Sequence, residues 1–475
     1  MDPQTGKATK KPEDSEGMQR TAPPPESSYR SIFHTWFPLG VERLLQSVDT
    51  PIYLAVVMHM ADPKIEVGAL FSYQVPILML VSAPTMTLAT LANVFAVHAR
   101  NILKIRLFAF LIGMIGTLII ALIGFTSFGD VILRSALGIP EDEYQAAIEA
   151  IRIATPYPLL QSFRQLCCGV LIRNGHSWKV LAARVMRNVG TLTLFGIGIT
   201  YQVLPGASMG AAALNLGLVI PVIYLFIVSV RVRKSLERTP ISKSPATTRE
   251  ITRMGLPLVV TPIIIAITPL IMSAALGRLP GVIVSLATWP IVMSVSGISM
   301  GVGDGMDQTT IVHAVDAAAK RRIWHIYISL AIGLMAINAL MITSGAYRWV
   351  FESIEALSPD TATVTDNVMW LLTPWFFTHA ISGCYWSLLA RMQMSIPYLV
   401  SASVKLVIMV ALFALALRYD PVTGVYIAAL ATGLGSLVGM FWYRWCYDRV
   451  CRRQLASSPR EGQGDPSSRG PATTG

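Results

Sequence analysis

The chain reads as an all-α, polytopic membrane protein of twelve transmembrane helices built as two parallel six-helix repeats. Three observations predict this. Of its 475 residues 53% are hydrophobic and 14% charged, well short of the roughly 25% charged in an ordinary soluble domain. Apolar segments of spanning length recur twelve times. The two halves also fall into register when one is slid along the other by 214 to 219 residues.

The spans are expected at 36–60, 67–97, 107–128, 147–172, 180–201 and 210–230, then at 254–277, 282–312, 323–346, 364–390, 398–417 and 424–445. Most reach about 20 residues, enough for a hydrocarbon core of roughly 30 Å. Polar tails over 1–30 and 447–475 read as disordered and cytoplasmic. Residues 31–231 and 254–446 form the two six-helix bundles, joined by a basic cytoplasmic linker at 232–253. Met1 to Arg30 contains no apolar core, so the first helix is expected to act as the targeting signal. Basic residues cluster in alternate loops, as in Arg100/Lys104/Arg106, Arg173/Lys179, Arg231–Arg253, Lys320–Arg322 and Arg444–Arg453. The positive-inside rule then places both termini in the cytoplasm, with a bacterial inner membrane as the expected location.

The repeat rests on ordered pairs. Pro38-Leu39 meets Pro257-Leu258, Thr50-Pro51 meets Thr268-Pro269, and Pro76-Ile77 meets Pro290-Ile291. Further along, Val97-His98 meets Val312-His313, Thr155-Pro156 and Arg173 meet Thr373-Pro374 and Arg391, and Pro205 with Gly217 meets Pro421 with Gly433. Six helices per repeat make the halves parallel about an axis along the membrane normal, a plan that transporters use to hold a solute site between two rocking bundles.

Several function classes are excluded or disfavoured. The net charge of +11 is dispersed over loops and gives no nucleic-acid face. Cys167, Cys168, Cys384, Cys446 and Cys451 show no metal or disulfide spacing. No Walker-type, HExxH or GxSxG motif occurs, so neither an enzyme nor a cofactor other than a coupling ion is expected. Tryptophans and tyrosines at the span ends read as an interfacial belt.

The residues that carry chemistry are the charges inside spans, each costing about 2.5 to 3.5 kcal/mol at the bilayer centre unless it faces protein or water. Glu42 and Asp49 lie seven residues apart, two helical turns or about 10 Å along one face. The second half has neutral residues there. Asp49 reads as an ion-coupling carboxylate for H⁺ or Na⁺, or as the structural partner of an arginine; Glu42 reads as a second coupling acid or as a solvated residue paired with a basic neighbour. Arg43, Arg164, Arg184, Arg187 and Lys405 lie roughly 7 to 20 Å in from the cytoplasmic surface. They read as substrate-binding residues that bias the cavity towards anions. For Arg164, below the helix-bending Pro156 and Pro158, the alternative is pairing with Glu42 or Asp49; for Arg184 it is snorkelling to the interface. Arg187 and Lys405 are related by an offset of 218. Asp304 and Asp307 read as solvated or capping residues at the inner end of their helix.

Val48-Asp49-Thr50 in the first helix, with fourth and tenth helices ending in Leu-Ile-Arg173-Asn-Gly and Leu-Ala-Arg391, resembles the MATE-like branch of the MOP superfamily. Phe-Pro-Leu-Gly in the first helix and Gly169-Val-Leu-Ile are also similar to the progressive ankylosis family. The major facilitator fold shares the repeat plan, but its acidic Gly-rich loop is replaced by His98-Ala-Arg-Asn-Ile-Leu-Lys. The resemblance implies alternating access driven by H⁺ or Na⁺, with Asp49 at the coupling position of MATE exporters. The basic surplus is more like exporters of anionic cargo. The expected function is therefore an ion-coupled exporter of an amphipathic, anionic organic solute, acting as a monomer among membrane lipids. The alternatives are a multidrug organic-cation antiporter, a lipid-linked precursor flippase and a non-transporting membrane scaffold.

Overall fold

Twelve long helices carry the chain in the computed structural model, which describes residues 28–47, 49, 56–57, 65–66, 68–202, 204–238, 245–354, 357–419 and 423–457. The first half comprises α1 (Tyr29–Ser47), α2 (68–95), α3 (Ala99–Phe125), α4 (141–173), α5 (Ser177–Tyr201) and α6 (Gly206–Glu237). The second comprises α7 (Thr248–Leu276), α8 (Val282–His313), α9 (Ala317–Thr343), α10 (Pro359–Arg391), α11 (Ile396–Tyr419) and α12 (Gly424–Ser457). Among the described residues there is no strand. Val48, Thr50, Pro51, Lys64, Lys243, Pro421 and the tails 1–27 and 458–475 lie outside the described residues.

Nine of these helices are long and apolar enough to cross a membrane. The other three are α1 and α10, which carry more polar residues, and α4, whose break leaves two pieces of 13 and 17 residues. Proline shapes several helices, since it removes a backbone donor and clashes with the preceding turn. α2 passes from a π turn at Gly68–Gln74 through Val75–Ser82 and a 3₁₀ turn at Ala83–Thr87 before finishing as Leu88–Phe95. α4 breaks between Glu141–Ile153 and Tyr157–Arg173, at the Pro156/Pro158 pair.

The helices run further than hydropathy marks. α6 reaches Glu237 and α7 begins at Thr248, which shortens the expected linker, and α12 continues to Ser457 through residues expected to be a tail. The reason is that a helix needs no apolar face once it is in water. Arg233 and Glu237 pair one turn apart at 2.7 Å, and Thr247 with Glu250 forms a capping box.

Burial reproduces the repeat and corrects its register. α4, α5 and α6 match α10, α11 and α12 at an offset of 218, so that Gly217 corresponds to Gly435 rather than Gly433. Gly217 lies against Thr191 and the Arg187 backbone, and Gly435 lies against Lys405, the residue related to Arg187. Short helical turns at 128–136 and 346–354 share the same offset. Asn93 and Gln308, related by 215, touch each other: the Asn93 amide donates to the Gln308 main-chain oxygen at 2.9 Å and to Oε1 at 3.0 Å. A repeat-related pair in contact marks where the pseudo-two-fold axis passes.

At the end carrying the basic loops, the two halves share one apolar core that includes Leu39, Leu91, Phe95, Leu171, Met254, Leu258, Ile311 and Leu389. At the other end each half keeps its own core, one over Val57–Leu218 and one over Met272–Ala431. Polar bonds reinforce the shared end. Thr87 donates to the Leu258 carbonyl at 2.6 Å, Trp36 donates to the Val302 carbonyl at 3.0 Å, and Thr35 Oγ1 lies 2.9 Å from His313 Nε2. Arg173 and its repeat mate Arg391 both donate to the Ile311 carbonyl at the C-terminus of α8, where cations complement the helix dipole.

α1 and α8 approach closely because Gly305 meets Gly40: a Cβ on Gly305 would lie 2.7 Å from the Gly40 nitrogen. Gly305→Leu is therefore expected to wedge the halves apart and to destabilise the protein by about 1–3 kcal/mol. Gly297→Leu, where a Cβ meets nothing within 4 Å, is expected to leave the thermal midpoint in detergent nearly unchanged. Equal midpoints for the two variants would contradict this seam.

Candidate functional site

The charged face expected on the first helix is the centre of a buried ion network. Glu42, Gln46 and Asp49 recur at helical spacing along α1 and just beyond its end, facing α4 and α5. Arg184 of α5, with a fully buried side chain, holds both acids. Its Nε and Nη2 donate to Glu42 Oε1 at 3.1 and 2.9 Å, and its Nη1 donates to Asp49 Oδ2 at 3.1 Å. Nη2 also reaches Gln46 Oε1 at 3.2 Å. Arg187, one turn on, approaches Asp49 Oδ2 at 3.9 Å. From α4, Arg164 donates to Glu42 at 3.4 Å and to Gln161 Oε1 at 3.0 Å. Arg43 lies 3.7 Å from the other Glu42 oxygen and donates to Gln46 at 3.3 Å.

Four guanidinium groups against two carboxylates leave a formal surplus of two positive charges inside the first half. Arg43 is the accessible member, with its side chain 34% exposed, whereas those of Arg164 and Arg187 are each 7% exposed. The network reaches the seam between the halves. A cavity of about 20 Å³ lies between Glu42, Arg43, Arg164 and, from α8, Gly305 and Gln308, room for about one water molecule.

The structure brings together six of the seven expected site residues and corrects three readings. Arg184 does not snorkel; it points inward because two buried acids need it. Glu42 is 6% exposed rather than solvated. Lys405 does not join the network: it packs on Gly435 and Gly439 of α12, in the other half.

For Asp304 and Asp307 the capping reading is corrected, while the solvated one holds for Asp304, whose side chain is 46% exposed. α8 continues to His313, so both acids lie one to three turns inside the helix end rather than capping it. Asp307 accepts from the Tyr327 hydroxyl at 2.8 Å, and Asp304 lies 3.2 Å from His379 Nε2. Gly383 makes room for the Asp307 carboxylate, since a Cβ there would lie 2.6 Å from Oδ1. The second half thus holds an acidic cluster on its α8–α9–α10 face, while the first half holds the basic one. Arg43 lies close to both: a Cβ on Gly301, one turn before Asp304, would sit 3.5 Å from that of Arg43. His379 was the available signal, a histidine inside an apolar helix at the repeat position of Gln161.

No protein-family model matches the sequence, and no curated protein matches it. Solved structures do match over most of the chain. A MOP superfamily transporter from Pyrococcus furiosus, described as having a binding pocket of reverse polarity, superposes with a TM-score of 0.68 at 17% identity, covering 89% of this chain and 99% of its own. This chain shares the fold of that transporter. A multidrug resistance MATE transporter of that superfamily in its outward-facing conformation gives a TM-score of 0.67 at 16% identity, covering 89% of this chain and 96% of its own. An inward-facing conformation of such a transporter gives 0.58 at 16% identity, covering 90% and 100%.

Arg184 is the member on which both acids depend. Arg184→Gln is expected to destabilise the fold by about 3–5 kcal/mol, because it leaves two buried carboxylates short of their partner. Adding Glu42→Gln is expected to recover part of that loss. Thermal unfolding in detergent checks both, and a double variant no more stable than the single one would contradict the pairing.

Proposed function

We propose that this chain is a secondary transporter that works by alternating access and carries an amphipathic organic anion, with H⁺ or Na⁺ as the coupling ion. The observation that carries the reading is the surplus of guanidinium charge on the inner face of the first half, with the half-buried Arg43 turned towards the second. Guanidinium groups in a low-dielectric setting suit carboxylate and phosphate ligands. The reverse-polarity pocket of the Pyrococcus furiosus MOP transporter is a parallel at the level of fold. In this reading the joined basic end is cytoplasmic, as the positive-inside rule requires. The conformation is then the one open to the outside, and the acting unit is the single chain.

The coupling sense follows from electrostatics. Asp49 and an anionic solute compete for Arg184 and Arg187. Protonation of Asp49, or Na⁺ bound to it, releases guanidinium charge to the solute. Ion and anion therefore bind together, and the anion moves in the direction in which the ion runs. The outward direction expected from the sequence needs the opposite sign, in which solute and ion exclude each other. That arrangement suits an organic cation, and the Asp304–Asp307 face of the second half is the observation that favours this second reading. Glu42, held by three arginines, is assigned to structure more than to coupling. Lys405 has no part in this site. A lipid-linked precursor would use the same arginines for its phosphates, and a non-transporting scaffold would use the network for stability alone.

Proteoliposomes loaded with a fluorescent organic anion or a fluorescent organic cation, under an imposed pH or Na⁺ gradient, distinguish these readings. The parent is expected to move the anion with the gradient. Asp49→Asn is expected to lower gradient-driven movement at least tenfold while solute exchange in the absence of a gradient survives. Movement of the cation against the gradient would replace the anion reading with the antiporter. An Asp49→Asn variant that differs from the parent only in its thermal midpoint would end the coupling assignment.

A further inference from the structure

The two repeats differ in one place that the transport reading leaves unused. A groove of about 440 Å³ opens at the basic end between the start of α5 and the last turns of α6. Its inner wall is apolar, from Tyr224, Val228 and Val232, and its mouth carries His176, Lys179 and Arg231. From Tyr224 to Leu236 the groove follows twelve residues of α6, about 18 Å. It therefore runs from the hydrocarbon depth of the bilayer to the headgroup level. Apolar surface at depth and cationic charge at the interface match an anionic amphiphile lying along the helix.

The repeat supplies an internal comparison. At the offset of 218, Tyr224 becomes Trp442, Lys179 becomes Pro397 and His176 becomes Met394. In the second half the Trp442 indole crosses the same gap and donates to the Pro397 carbonyl at 3.0 Å. Met394 packs into the adjacent core. Arg449, the mate of Arg231, lies over the Trp445 ring at 5.1 Å. The second half fills with its own side chains the space that the first half leaves open and lines with cations. Burial, with Lys179 alongside, holds His176 below the usual imidazole value, so the charge at the mouth comes from Lys179 and Arg231 at neutral pH.

We propose that this groove binds the phosphate headgroup and upper acyl chain of an anionic phospholipid from the leaflet at the basic end. Lys179 and Arg231 hold the phosphate, and the Tyr224–Val232 wall holds the chain. The test uses the purified full chain in a neutral detergent with phosphatidylglycerol, phosphatidylcholine or inorganic phosphate added, read by native mass spectrometry and thermal shift. The parent is expected to retain one more phosphatidylglycerol than the Lys179→Gln/Arg231→Gln variant, and to gain several degrees from that lipid alone. Arg231→Gln by itself, at an exposed position, serves if the double variant does not fold, and it is expected to weaken retention at least threefold. Tyr224→Trp, which copies the filled half, is expected to lose the lipid with both cations in place. Equal retention by parent and charge variants, or equal stabilisation by phosphatidylcholine, overturns the site. Stabilisation by inorganic phosphate as strong as by the lipid overturns the lipid assignment.

Discussion

A buried charge in an apolar interior has to be cancelled locally, and Arg184 does this for two carboxylates at once. Its three nitrogens reach Glu42 on α1 and Asp49 just beyond the end of that helix. Fixing α1 against α5 in this way also fixes the positions of Arg164, Arg187 and Arg43, which meet the same two acids from α4, α5 and α1. The fold tolerates six charges at this depth because each is within reach of an opposite one. The surplus of two then sits where the halves face each other. The brace is shared by both acids, so a change of charge at Asp49 would bear on the packing of α5.

The second half is built on the same plan with different chemistry. Glu42 and Asp49 have uncharged counterparts there, and that half carries Asp304 and Asp307 on α8 instead. The duplicated framework supplies two equivalent inner faces, and substitution has given them opposite sign. Arg173 and Arg391 kept both their identity and their target, the Ile311 carbonyl. One of them ties α8 to its own half and the other ties it across the seam.

Much of the architecture was legible in the sequence, because a spanning helix must be apolar for about 20 residues and a duplication leaves its prolines and glycines in order. The acid pair on α1 was legible for the same energetic reason: Glu42 and Asp49 stand out in an apolar run. What was not legible depends on three-dimensional neighbours. Lys405 lies at the repeat position of Arg187, yet it packs on Gly435 and Gly439, and among the described residues no acid pairs with it. Asp304 and Asp307 looked terminal because the basic loop beyond them is near in sequence, whereas α8 has further turns to run. The register of the last helix pair drifted by two residues, since matching Gly217 to Gly433 scores as well by letter as matching it to Gly435. Burial separates the two, because only Gly435 faces Lys405.

The division of the apolar core has a consequence for biogenesis. Among the described residues the far-end core of the first half draws on 57–218, so it can close as soon as α6 has been made. The core at the basic end cannot: Ile251, Met254 and Leu258 from α7, Ile311 from α8 and Leu389 from α10 belong to it. Until those helices are inserted, Leu91 lacks its contact at Gly255 and Leu39 its contact at Gly305. A chain emerging from the ribosome therefore assembles one sealed end early and the joint between its halves late, and that joint is the part most open to misassembly with a neighbouring nascent chain.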